Sequence, residues 1–341
     1  MTIALDGVVP PRDERCIHRL PMTSWQPPAA PGDPLLPKAG RWYPQGFIHG
    51  VANIFPQTIT PMKVIEVDDQ TLTVDCNHPL AGRQQEITTA IESVRSLDKE
   101  RGGRCSAWLE DSLANGPGMQ AIEQDRRPDF EESDARLRGD QEGDALFYAM
   151  PRMTGHIDRQ ASDHLAATLG RWLQPGWRIL DLMAGYQSHL PPGSAAEVIG
   201  LGMNSEEMAA NPALCRHLVH DLNVAPELPL PDNSFDAVVC NLSIEYLTDP
   251  REVLRQAARV LRPDGLLAVS FSDRWFPTKV TRLWLKLHEF ERMGFVLDCL
   301  RDECTALATV TYRFWPRPAD DRHARQLRYS DPLFVVSGRR R

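Results

Sequence analysis

FDAVVCNLSIEYLTDPREVLRQAARVLRPDGLLAVSFS, residues 235–272, decides the fold. Phe235 to Cys240 is a short apolar run of strand length, Pro250 to Leu261 carries a helical pattern, and Leu266 to Ser272 is a second apolar run. Strand, helix and strand in that order form a βαβ unit, whose two strands lie parallel in one sheet with the helix on its face. The same alternation extends upstream. It predicts a helix over Ile157 to Leu173, a strand over Arg178 to Leu182, a helix near Ser205 to Ala210 and a strand over His217 to His220. Downstream it predicts a helix over Val280 to Met293 and a closing strand pair, Ala306 to Arg313 and Pro332 to Ser337. An open α/β sheet of this kind binds ligands at the carboxyl ends of its strands. PGWRILDLMAG, Pro175 to Gly185, reads as helix exit, buried strand and turn, so chemistry is expected just after Leu182.

The blocks Leu228 to Pro250 and Arg251 to Ser272, in order and at family spacing after ILDL, resemble the class I S-adenosylmethionine-dependent methyltransferases. The resemblance covers about Phe147 to Gly338 and implies a Rossmann-like sheet of seven strands, the last antiparallel. It also implies S-adenosyl-L-methionine as cofactor. Carried over by position, Asp181 orients the glycine-rich turn, where a missing Cβ lets backbone approach a ligand. The turn reads Met183, Ala184, Gly185, Tyr186, Gln187 where the family has GxGxG, so Gly185 is the glycine that remains. In EVIGLGMNSEE, Gly202 stands where the family grips the ribose hydroxyls with an acidic residue. Asn204 is then either a neutral substitute acceptor or the cap of the following helix. In HDLN, Asp221 matches the group that receives the adenine amino group, and Leu222 supplies the next backbone amide. Asn241, opening the loop after the fourth strand, is expected near the cofactor's amino acid moiety.

Methyl transfer by in-line displacement is mostly positioning, with a base needed only if the acceptor must lose a proton. No fixed triad is expected. Candidate acceptor-side groups are His189, Glu245, Tyr246, Asp273, Arg274 and Trp275, all from loops at one sheet edge. Each has a plainer reading: His189 bonding a loop backbone, Arg274 in a surface ion pair, Trp275 and Phe276 in packing. Cys299 and Cys304 lack the spacing of tetrahedral metal ligands, and no metal is expected.

Toward the amino terminus the pattern changes. Of 28 prolines, 11 lie in the first 61 residues, which predicts an extended, loop-rich segment. MKVIEVDDQTLTVDCN, Met62 to Asn77, alternates apolar and polar residues about Asp68-Asp69 and predicts a β-hairpin, with Glu86 to Arg95 as a further strand. LTVDCNHPLAGRQQEI, Leu72 to Ile87, resembles the NHxLAG signature of SlyD-like FKBP-type prolyl isomerases. That resemblance covers about Gly40 to Leu97 and implies a small β-rich module with a role in peptide binding. The strands that precede the flap in that family are missing here, and Asn77 and His78 read as turn formers rather than catalytic residues. The expected organisation is a proline-rich segment 1–39, a β module 40–97, a polar acidic linker 98–146 and a methyltransferase-like domain 147–341.

The chain has 341 residues, 38 basic and 46 acidic, for a net charge of −8, which gives no global attraction to nucleic acid or anionic lipid. No apolar run is long enough to span a bilayer, and the start has no export signal, so a cytoplasmic protein is expected. Seven cysteines without a CxxC pair read as reduced thiols. The Arg-rich segment Arg317 to Arg341 has no interleaved stacking platform and reads as solvated. Two functions remain. One is a methyltransferase acting on a small molecule or a protein group. The other is a protein that has lost catalysis and binds polypeptide.

Overall fold

The computed structural model describes residues 2–4, 9–28, 34–82, 86–88, 130, 134–195 and 197–341. The chain divides into two compact units, Met1–Phe130 with Leu287–Glu291, and Glu131–Lys286 with Arg292–Arg341.

In the first unit, β1 (Thr2–Ala4) is followed by β2 (Ile17–Pro21), β3 (Trp42–Pro44), β4 (Pro61–Val67), β5 (Thr71–Asp75) and β6 (Glu86–Thr88). Strands β2 to β5 form an antiparallel sheet in the order β2-β5-β4-β3, and β1 pairs with β6. The expected hairpin is β4 and β5. Its turn is made by Asp68, whose Oδ1 accepts the N–H groups of Gln70 and Thr71 at 2.8 and 2.7 Å. This arrangement is an Asx-turn. The proline-rich segment does more than loop: β2 pairs along β5, and Trp25 packs edge-on to Tyr43 at 4.9 Å over buried Ile48, Met62, Val64, Leu72 and Val74. The edge strands β2 and β3 each end in proline, which cannot donate to a further strand. Asn77 ties the turn after β5 to the chain start, accepting from Asp13 N and donating to the Asp13 carbonyl. Leu80 N–H donates to His78 Nδ1, and Gly82 has φ of +74°. The NHPLAG residues therefore form an anchored turn, and among the described residues nothing else ties this unit to the prolyl isomerases. Of the strand expected over Glu86 to Arg95, residues 86–88 form β6. Residues 89–129, with the rest of that strand, most of the linker and Cys105, lie outside the described residues.

The second unit contains α1 (Asp144–Phe147), α2 (Arg159–Gly170), β7 (Arg178–Leu182), β8 (Glu197–Gly202), α3 (Ser205–Ala209), β9 (Arg216–Val219) and β10 (Phe235–Asn241). It continues with α4 (Pro250–Val260), β11 (Leu261–Phe271), α5 (Arg282–Lys286), α6 (Glu289–Leu300), β12 (Cys304–Tyr312) and β13 (Leu333–Arg340). The sheet order is β12-β13-β11-β10-β7-β8-β9. Strands β11, β10, β7, β8 and β9 are parallel neighbours, and β13 runs antiparallel to both β11 and β12. This is a Rossmann-like sheet of seven mostly parallel strands. Helices cover both faces of the central strands, so Leu180, Val238 and Leu267 are fully buried. Burying such side chains contributes roughly 1.5–3 kcal/mol each. Helix α4 starts where Asp249 accepts the Glu252 N–H and Pro250 fills the first turn. The helix expected over Val280 to Met293 is split into α5 and α6 at His288, whose carbonyl accepts the Glu291 N–H as the second helix begins.

Two solvated segments turn out to be paired. The end of the expected linker belongs to the second unit, because its acids meet cations there: Lys286 Nζ is 2.7 Å from Asp134, and Lys279 Nζ is 2.9 Å from Asp140 and 3.2 Å from Asp144. Similarly, Arg317 is buried between Asp158, Asp321 and Asp331 at 3.0 to 3.2 Å, and residues 333–340 are a central strand. No helix among the described residues is long and apolar enough to cross a membrane.

Candidate active site

Parallel strands leave their carboxyl ends at one edge of the sheet, and the loops after β7, β8, β9 and β10 converge there on one open cavity. Asp181, Gly185, His189, Gly202, Asn204, Asp221, Leu222, Asn241 and Tyr246 all line it. Glu245 and Arg274 do not.

The turn after β7 keeps the geometry that glycine ordinarily supplies. Met183 has φ of +57°, the left-handed region, at a cost of order 1–2 kcal/mol for a residue with a Cβ. Ala184 N–H then donates to the Leu201 carbonyl at 2.9 Å, pinning the turn onto the end of β8. A Cβ on Gly202 would meet the Ala184 carbonyl oxygen far inside 3.0 Å. The place of the family's ribose acid is thus closed by the turn itself. Asp181 is 2% exposed and its Oδ2 has no hydrogen-bond partner; burial pushes its carboxyl up to about 7, against a hydrogen bond from Ser188 that lowers it.

Asn204 is the cap of α3. Its Oδ1 accepts the N–H groups of Glu206 and Glu207 at 3.0 Å each, and its Nδ2 donates to the Tyr148 carbonyl at 2.8 Å. With Oδ1 committed to the helix, the alternative role as ribose acceptor is corrected. Asn241 is likewise spent inward: Nδ2 donates to the Ser188 carbonyl and Oδ1 accepts from Ser270 Oγ, so what it offers the cavity is its backbone. Asp221 Oδ1 accepts the Asn223 N–H at 2.9 Å, an Asx-turn that leaves Oδ2 without a partner among the described residues.

The acceptor-side candidates separate. His189 Nδ1 is 2.8 Å from Ser162 Oγ, and burial holds its ring down to about 4, so it is neutral and structural in character. Glu245 is 1% exposed, faces away from the cavity and has both oxygens unpaired; burial pushes its carboxyl up to about 8. Arg274 pairs with Asp331 at 3.3 Å and lines a separate cleft with Arg159 and Arg317, because its loop leaves the sheet edge toward that side. Tyr246 stays at the cavity, its hydroxyl accepting the Phe276 N–H at 2.9 Å with the two rings stacked 5.8 Å apart.

Several lining residues carry no signal in the sequence. Tyr148, Arg152 and His156 come from the segment before α2. Arg152 lies over Phe147 at 4.5 Å and Phe276 at 5.1 Å, and its backbone N–H donates to Glu207 Oε1 at 2.6 Å. Asn223 knots three loops: Nδ2 donates to Asp144 Oδ2 and the Tyr246 carbonyl, and Oδ1 accepts from Thr248 N and Oγ1. An acid spaced five residues beyond the strand end, as Glu207 is, was the one trace available, and it reads simply as helix surface.

A methyltransferase-domain family model matches residues 184–269. The ubiquinone/menaquinone biosynthesis C-methyltransferase UbiE of Brucella abortus is 30% identical over 182 residues, covering 49% of this chain and 67% of that protein. The 27-O-demethylrifamycin SV methyltransferase of Amycolatopsis mediterranei is 34% identical over 139 residues, 38% of this chain; the match spans about half of that enzyme, 47%. Among solved structures, the YcgJ protein of Bacillus subtilis aligns with 52% of this chain and 98% of its own, at TM-score 0.37 and 17% identity.

The chain belongs to the class I S-adenosylmethionine-dependent methyltransferases. S-adenosyl-L-methionine is its cofactor, and the residues present fit it: the unpartnered Asp181 Oδ2, the free Asp221 Oδ2 and the space left by the missing Cβ of Gly185 all face one open cavity.

Proposed function

We propose that the chain transfers a methyl group to a planar, aromatic small molecule. When bound, the cofactor supplies an electrophilic methyl group on sulfur. The observation that carries the acceptor class is the wall of Tyr148, Tyr246 and Phe276 on the cavity beside the loop after β10, a surface suited to offset stacking with a flat ring. Both curated relatives carry names that point to small molecules, 27-O-demethylrifamycin SV and the ubiquinones and menaquinones. That the altered turn still leaves an open cavity at the strand ends favours catalysis over its loss.

Asp221 and Leu222 hold the adenine end in this reading, and Gly185 lets the backbone approach. His156 stands edge-on to Phe276 at 5.8 Å, its basicity lowered by desolvation and by the charges of Arg152 and Arg274. It is therefore neutral near pH 7 and able to take a proton from an acceptor hydroxyl. The remaining rate enhancement comes from orientation, which needs no further group.

The test is transfer of radiolabelled methyl from the cofactor to a panel of phenols, quinols and peptides. Labelling of flat phenolic or quinol acceptors, with turnover reduced in Phe276→Ala and His156→Ala while cofactor affinity is kept, supports the reading. Labelling confined to peptides overturns the acceptor class.

A further inference from the structure

A nucleoside cofactor presents a ribose diol, and a carboxylate is the strongest neutral-pH acceptor for two adjacent hydroxyls. Gly202 cannot carry one, because the Ala184 carbonyl occupies the space of its Cβ. Yet a carboxylate does reach the cavity. Glu207, in α3, is 7% exposed and lines it. Its Oε1 accepts the Arg152 N–H at 2.6 Å, while Oε2 has no hydrogen-bond partner among the described residues. Oε2 lies 3.0 Å from the point where a Cβ on Gly185 would stand, directly against the one glycine that the turn retains. The Asn204 cap fixes the Glu207 backbone, and the Arg152 bond fixes its carboxylate.

We propose that Glu207 receives the ribose hydroxyls of the cofactor, replacing from the first turn of α3 the carboxylate that the end of β8 cannot hold. The assignment rests on the methyltransferase reading of this cavity. The two departures in the sequence then have one cause: a turn built on Met183 and Ala184 is pinned to Leu201, excludes a side chain at 202, and leaves the acidic contact to 207. Glu207 is a binding residue here and takes no part in methyl transfer.

The experiment is calorimetric titration of the full chain with S-adenosylhomocysteine and its 2′-deoxy and 3′-deoxy analogues, for the unaltered protein and for Glu207→Gln. Glutamine keeps a carbonyl for the Arg152 N–H, so the fold is retained, and a melting curve verifies it. A hydrogen bond to a charged acceptor is worth about 10- to 100-fold in affinity. The unaltered protein is expected to bind the ribo form about 10- to 100-fold more tightly than the deoxy forms, and Glu207→Gln to lose that margin. Equal binding of ribo and deoxy forms by the unaltered protein overturns the proposal, as does full discrimination persisting in Glu207→Gln. If the unaltered protein binds none of the three, the methyltransferase reading itself falls and the assignment with it. Where Glu207→Gln fails to fold, Glu207→Asp, which draws the carboxylate back by one methylene, is titrated in its place, with loss of the margin expected and its full retention overturning the assignment.

Discussion

The carbonyl oxygen of Ala184 fills the space that a β-carbon on Gly202 would need. Restoring an acidic side chain at that position is therefore expected to damage the protein. Gly202→Asp should destabilise by about 1–3 kcal/mol, the usual cost of overpacking, because the obstacle is backbone held by the Ala184 to Leu201 hydrogen bond. A lower urea midpoint at unchanged slope checks this. Cofactor affinity should fall in the same variant, since the turn must move.

The adenine contact proposed for Asp221 is separable from its Asx-turn by one substitution. Asp221→Asn keeps an Oδ1 for the Asn223 N–H but turns the free oxygen into a donor, which the proposed adenine amino group cannot use. Cofactor affinity should drop about tenfold or more with the melting temperature nearly unchanged. Equal titration curves for the two proteins would remove Asp221 from the adenine site.

Lys279 is wholly buried between Asp140, Asp144 and the Glu142 carbonyl. Lys279→Met should cost about 1–3 kcal/mol near pH 7, because Asp144 loses one of its two cations while Arg138 stays at 2.7 Å. Burial alone would raise Asp144, but hydrogen bonds from Arg138 and Asn223 and the adjacent charges outweigh it, so its pKa is lowered. A lowered carboxyl contributes stability above its unfolded value, near 3.8, and that contribution is lost as pH falls through the folded value. The unaltered protein should thus weaken steeply below about pH 4, and Lys279→Met should show a smaller acid step, read from urea midpoints between pH 7 and pH 2.

Glu245 has the opposite sign. Burial raises it from 4.5 to about 8, so the folded state holds a proton that the unfolded chain releases, and stability declines as pH rises toward 8. Glu245→Gln mimics the protonated form. It should match the unaltered protein at pH 5 and exceed it at pH 9 in chemical unfolding, without altering cofactor titration, since Glu245 is absent from the cavity wall.

The seven-stranded sheet was legible because its signals are local. A buried parallel strand must be apolar along its length, and a covering helix must repeat its apolar face every three or four residues. Phe235 to Ser272 records both; β7 has the bounds the pattern gives it, and β10 runs one residue past its expected end, to Asn241. The expected roles of Asp181, Gly185, Asp221 and Leu222 came with the family resemblance, and all four residues line the cavity. Side-chain commitments did not, because hydrogen bonds form between residues far apart in sequence. Asn204, open in the chain between ligand and cap, is the cap and also bonds Tyr148, and Asn241, expected near the cofactor, is consumed by Ser188 and Ser270. The acids of 134–144 look solvated and are partnered by Lys279, Lys286 and Arg138. Sequence alone determined the class of sheet, the edge that binds and the loss of glycine at 183 and of acid at 202. Tertiary structure decided that the Ala184 carbonyl closes position 202 and that the Glu207 carboxylate stands beside Gly185. Only packing in three dimensions brings the turn of Ala184 and Gly185, the bare α-carbon of Gly202 and the Glu207 carboxylate five residues later within reach of one another.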